Sequence, residues 1–102
     1  MQLEAAVRTR LEEIVGPILF SDLRAHLERD AVFVVAAEIA LIECGVSVAM
    51  DRVEQVGAWI DAGQLRKPGA QERLNWAAIS GPAWLALVVQ PYVLVQLLAK
   101  PN

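Results

Sequence analysis

Glu43 is an acid set inside an apolar run, Ala40-Leu-Ile-Glu-Cys-Gly-Val-Ser-Val-Ala-Met50. A carboxylate in such a place reaches solvent, pairs with an arginine, or stands in a pocket with a shifted proton affinity, and only the last does chemistry. Amide and phenol groups recur in the apolar C-terminal run at Gln90, Tyr92 and Gln96. Left buried and unpaired, each would cost about 1–3 kcal/mol. They must therefore bond neighbouring backbone, a second copy across a seam, or a ligand. Arg66, Lys67 and Arg73 form a small basic cluster around Pro68-Gly69, with Trp76 close in sequence. Such a cluster can hold an anion or a single strand, although a solvated turn is the plainer reading. Glu43, Arg66, Gln90, Tyr92 and Gln96 are the candidate ligand-binding residues, as the polar end of an apolar pocket.

Other chemistries find no pattern. The single histidine and single cysteine, His26 and Cys44, have no ligand partners at zinc spacing and allow no internal disulfide. Cys44 lacks a neighbouring base or activating cation, so an inert buried thiol is expected. Ser21, Ser47 and Ser80 stand in no nucleophile elbow, and the glycines match no phosphate loop. Glu38 and Glu43 lie about 140° apart around a helix and on opposite faces of a strand, which argues against paired acid–base work. No catalytic residue, metal or cofactor is expected.

The composition narrows the rest. Hydrophobic residues make up 56% of 102 residues, above the usual range for soluble domains. In a chain with room for one core, the surplus predicts an apolar face covered by a partner, most simply a second copy in a dimer. Twelve acids against nine bases give a net charge of −3, which disfavours a nucleic-acid partner. Lys100 is the one charged side chain from residue 77 onward, so the C-terminal stretch is expected to be buried. Residues 31–50 are long enough to span a membrane but carry Glu38 and Glu43, and residues 81–99 are split by Gln90-Pro91. No membrane segment is expected, nor a signal peptide at the amphipathic N-terminus.

Periodicity supplies the elements. Leu3, Val7, Leu11 and Ile14 mark an amphipathic helix with a core stripe, stopped at Gly16-Pro17. Ser21 or Asp22 caps a short helix through Arg29, with Leu23 and Leu27 inward. Residues 31–36 read as a buried strand. Residues 38–50 fit helix or strand; helix is favoured because Ala40, Glu43, Ser47 and Asp51 align only at helical spacing. Asp51 caps the next helix, whose stripe is Val53, Val56 and Ile60, and Gly63 ends it. Residues 65–67 suggest a short edge strand and 70–78 a helix. Trp84–Val89 and Tyr92–Leu98 make a kinked strand or two short ones pairing with residues 31–36. Trp59, Trp76 and Trp84 supply core or interface area.

Several of these segments carry a likeness. Arg29-Asp-Ala-Val-Phe-Val-Val35, Leu41-Ile-Glu43, Met50-Asp51, Ala58-Trp-Ile60, Gly63-Gln-Leu65 and above all Val88-Val-Gln-Pro-Tyr-Val-Leu-Val-Gln96 resemble an uncharacterised family of short bacterial proteins, a domain of unknown function. The resemblance spans roughly residues 20 to 98. It implies a bacterial cytoplasmic setting and brings no activity, cofactor or ligand. The chain departs from the pattern at Ala40-Leu41, where the resemblance implies an Asp-Leu pair.

The expected architecture is a single α+β domain over residues 1–102. Four or five short helices pack on one side of a small, mostly antiparallel sheet. The expected role is an interaction or regulatory module that self-associates through Trp84, Tyr92 and Leu94. The alternative is a small-molecule binder or small enzyme with a pocket near Glu43, Arg66, Gln90 and Tyr92.

Overall fold

A computed structural model describes residues 3–98, and Lys100 lies outside them. The order is α1 (Leu3–Ile14), β1 (Gly16–Ile18), α2 (Phe20–Glu28), β2 (Val32–Val35), α3 (Leu41–Ala49), α4 (Val53–Asp61), β3 (Leu65–Arg66), α5 (Ala70–Ala77), β4 (Trp84–Val89) and β5 (Tyr92–Leu97). The fold is α+β. Residues 41–49 are helical, as the alignment of their polar side chains predicts.

The strands form one mixed sheet in the order β1-β4-β5-β2-β3. β4 and β5 make a regular antiparallel hairpin from Trp84↔Leu97 to Val89↔Tyr92, closed by a cis Gln90-Pro91 bond. β5 then runs parallel to β2, with Phe33 opposite Leu94, and the remaining pairs are antiparallel. β1 was not expected: Gly16-Pro17 ends α1 but also starts a three-residue strand on the free edge of β4. Both sheet edges are short, and one carries a proline. Each offers little backbone for a further strand to pair with.

The helices cover both faces of the sheet, not one. Leu87, Val89, Leu94 and Val35 point to a core shared with Leu11 of α1 and with Leu41, Cys44 and Val46 of α3. Trp84, Ala86, Val93, Val95, Val32 and Val34 point the other way, onto Leu23 and Leu27 of α2 and Trp76 of α5. A strand covered on both sides is apolar at every position. The unbroken run Trp84-Leu-Ala-Leu-Val-Val89 is that signature.

Helix ends follow local chemistry. α2, α3 and α4 each close with the same pair of backbone bonds: Ala31 N–H to His26 O with Asp30 N–H to Leu27 O, Arg52 N–H to Ser47 O with Asp51 N–H to Val48 O, and Gln64 N–H to Trp59 O with Gly63 N–H to Ile60 O. This closure needs a left-handed residue just past the helix. Asp30, Asp51 and Gly63 fill the place with φ of 60°, 57° and 75°. Asp51 therefore ends α3 and does not cap α4, whose N-cap is Arg52. Nor does Ser21 or Asp22 cap α2, which starts from Leu19.

α3 starts from Ala40, whose extended backbone is that of an N-cap, but alanine offers no side-chain oxygen to the first turn. This is the position where the resemblance implies aspartate, a residue that would cap the first turn of α3 here. Ala40→Asp is expected to raise stability by about 1 kcal/mol, read as a higher urea midpoint at unchanged slope.

Two apolar stripes do not end in the core. In α1 only Leu11 is buried. In α4 no residue is fully buried: Val56 and Trp59 pack partly against the core, while Val53 is 70% exposed and Ile60 50%. Among the described residues no helix is long and apolar enough to cross a membrane.

Candidate functional site

The expected site residues are not brought together. Glu43 is on the outer face of α3, where both its oxygens accept from the Arg8 guanidinium, one of them at 3.2 Å. Arg8 also reaches Glu4, and Glu4 accepts from Arg52. These four alternating charges tie α1 to α3 and to the start of α4. The bond from Arg8 holds the Glu43 carboxyl below its ordinary range, the opposite of a pocket acid kept protonated.

Arg66 lies on edge strand β3 and donates to both oxygens of Glu72, at 2.7 and 3.0 Å. Glu72 in turn accepts the Gly69 N–H at the start of α5. Lys67 is paired with Asp30 at 2.6 Å, and Arg73 donates to Leu27 O at 2.8 Å, at the end of α2. The basic cluster is thus spent on Glu72, Asp30 and a helix terminus. The free cations that a phosphate backbone would need are missing from it.

Gln96 and Tyr92 share one face of β5 but stand about 13 Å apart along it. Gln96 donates from Nε2 to Ala36 O at 2.8 Å and Ile39 O at 2.6 Å, holding the loop between β2 and α3. Gln90 is exposed in the hairpin turn. Two of the expected interface residues are inside the protomer: Trp84 is 0% exposed and Leu94 1%. Helices on both faces of the sheet cover much of the apolar C-terminal run, these two side chains included, so no second copy is needed for them; Val88, Tyr92, Leu97 and Leu98 of the same run are exposed, against the expectation that the stretch is buried. Cys44 is buried, and desolvation pushes its thiol up to about 11, which removes it as a nucleophile near neutral pH.

Four carboxylates have lowered pKa values: Asp30 through Lys67, Glu38 through Gln64, Glu43 through Arg8 and Glu72 through Arg66. Each binds its proton more weakly folded than unfolded. Their contribution is complete above the unfolded carboxylate pKa and fades as pH falls through the lowered folded values. Urea midpoints are expected to drop below about pH 4, and less steeply in high salt because these pairs are solvent-exposed.

Of the expected ligand-binding residues Tyr92 lines the apolar cavity on the α3–α4 side of the sheet, together with Leu94, while Gln96 lines a separate shallow hollow beside Leu85, Leu97 and Leu98. Tyr92 is 41% exposed, and its ring meets Phe33 of β2 edge-on, with centroids 5.5 Å apart. Val48 of α3, Val56 and Ile60 of α4, Leu65 of β3 and Leu94 complete the walls around about 150 Å³. A shallower groove continues from it along α4 past Val53 and Gly57 to Ser47 and Asp51. In the sequence Val53, Val56 and Ile60 read as the apolar stripe of this helix. Periodicity reports that a helix face is apolar and does not report what covers it. No acid, base or metal-binding group of the described residues converges on this cavity, and what it offers is apolar shape.

A family model described as a protein of unknown function (DUF2288) matches residues 6–97. The chain belongs to this family. The matched stretch begins earlier than the resemblance in the sequence does, and takes in most of α1 and all of β1. The fold is also similar to the NMR solution structure of PA1075 from Pseudomonas aeruginosa, with a TM-score of 0.78 at 27% identity over 93% of this chain and 87% of that one. No curated protein matches.

Proposed function

We propose that the protein is a non-catalytic interaction module whose docking surface is the open face of α4 with the cavity beside it. The observation that carries this reading is α4 itself. A helix normally turns its apolar stripe inward, yet Val53 and Ile60 face solvent next to an apolar concavity. Large side chains left together in the open mark contact surfaces more often than chance packing does. Self-association remains a second reading. With Trp84 and Leu94 inside the protomer, the support left for it is this same face, including Tyr92.

One experiment addresses both. A photo-crosslinking phenylalanine analogue is placed at Ile60 in cells making the protein, and at Leu74 as the control. Leu74 is also exposed, on α5 at the opposite face of the sheet. Adducts from position 60 well above those from position 74 are expected. Equal labelling from both positions removes the docking reading. An adduct of twice the chain mass would make the partner a second copy.

A further inference from the structure

The rim of the α4 groove has a sign. Asp51 and Arg52 line it, the arginine paired with Glu4, and Glu54 and Asp61 stand beside the lining, one behind the other along α4, each next in sequence to an exposed apolar residue of the stripe, Val53 and Ile60. Seven residues apart, the two carboxylates share one side of the helix. None of Asp51, Glu54 and Asp61 has an ion-pair partner among the described residues. The two bases nearby are already engaged, Arg52 by Glu4 and Lys67 by Asp30. The groove therefore presents an apolar floor with a negative border.

We infer that its occupant is a basic segment of a different protein, carrying one large apolar side chain that enters the cavity between Phe33, Tyr92 and Ile60. The inference rests on reading the α4 face as a docking surface. Size and shape select the anchor: about 150 Å³ is the volume of an apolar cavity that admits a benzene ring, so one phenylalanine or leucine side chain fills it. A free small molecule of that size would leave Val53 uncovered, because Val53 is about 10 Å along the helix from Ile60. A chain segment covers both. Charge selects the flanks, since lysines or arginines beside the anchor meet Asp51, Glu54 and Asp61. A second copy fits poorly. Two α4 helices packed antiparallel would set Glu54 and Asp61 against the same carboxylates of the other copy, and each chain already carries a net charge of −3.

The test uses the full chain, isotope-labelled for NMR, and three short capped peptides. Each has one central phenylalanine, flanked by lysines, glutamines or glutamates. The lysine peptide is expected to bind about fivefold or more tighter than the glutamine peptide, and the glutamate peptide weakest. Shifts should centre on Val53, Val56, Ile60 and Tyr92. The preference should shrink in high salt and in the Glu54→Gln, Asp61→Asn double variant, which keeps the apolar floor. Equal binding of all three peptides at those residues overturns the charge assignment and leaves the docking reading standing. Shifts elsewhere, or none, overturn the inference; crosslinks from position 60 would then still judge the docking reading separately. A dimer in sedimentation that Ile60→Lys dissociates also overturns it, by making the second copy the occupant.

Discussion

Trp84→Ala is expected to remove about 3–5 kcal/mol of stability, a large part of the roughly 5–15 kcal/mol that holds a domain folded. Trp84 opens β4 and is fully enclosed. Its ring packs against Trp76 of α5, centroids 5.2 Å apart and planes at 61°, and against Phe20 of α2 at 6.4 Å. One side chain thus joins two helices to the sheet, and alanine would leave a void that three separate elements would have to close. Its Nε1–H has no hydrogen-bond partner among the described residues. Trp84→Phe keeps most of the ring contact and removes that orphan donor, so it should cost well under half as much. Chemical denaturation of both variants checks this. A loss below about 1 kcal/mol for alanine would place Trp84 outside the core and revive the interface role that its residue type suggests.

Gly45→Val is expected to cost about 2–3 kcal/mol by overpacking. Glycine inside a helix is ordinarily a weakness, about 1 kcal/mol worse than alanine. Here it lets α3 lie close on β4. A Cβ at Gly45 would run into the Leu87 side chain and stand 3.1 Å from Leu11 Cδ1. Leu87 is fully enclosed and has nowhere to retreat. Gly45→Ala already brings that Cβ against Leu87, so the helix propensity it gains, about 1 kcal/mol, offsets only part of the overpacking, and a smaller loss than for valine is expected. Valine adds branches that α3 cannot accommodate without lifting off the sheet. The contact also predicts coupling: in the Leu87→Ala background the cost of Gly45→Val should fall by more than about 1 kcal/mol. Strict additivity would mean that α3 and β4 do not approach as closely as described.

Much of the fold was legible because local patterns carried it. Leu23 and Leu27 at one helical turn, the β-branched and aromatic Val32–Val35, the left-handed Gly63 and the Gln90-Pro91 break each fix an element by chemistry within a few residues. Three things were not local. β1 is three residues whose strand character comes from pairing with β4, about seventy positions later. The placement of helices on both faces of the sheet depends on where each connection crosses; its one sequence trace is the apolar run of β4. The exposure of α4 depends on no other described residue covering its stripe.

The candidate site was harder for the same reason. Gln96 drew attention as an amide in an apolar strand, and its partners are Ala36 O and Ile39 O, about sixty positions earlier. Glu43 stood out as an acid among apolar residues, and Arg8 answers it from α1. Polar residues that look solitary in sequence were satisfied by distant ones, leaving Tyr92 at the cavity. The missed signal lay in Val53 and Ile60, whose neighbours Glu54 and Asp61 mark a solvent-facing border along the apolar stripe.

The most direct test is the stability of the Val53→Lys, Ile60→Lys double variant measured by thermal and urea unfolding. If the α4 stripe is surface kept for a partner, the isolated chain should lose no more than about 1 kcal/mol, in line with surface substitutions. A loss of about 3 kcal/mol or more, the scale of core truncation, would show that these side chains hold the protomer together and would contradict the account.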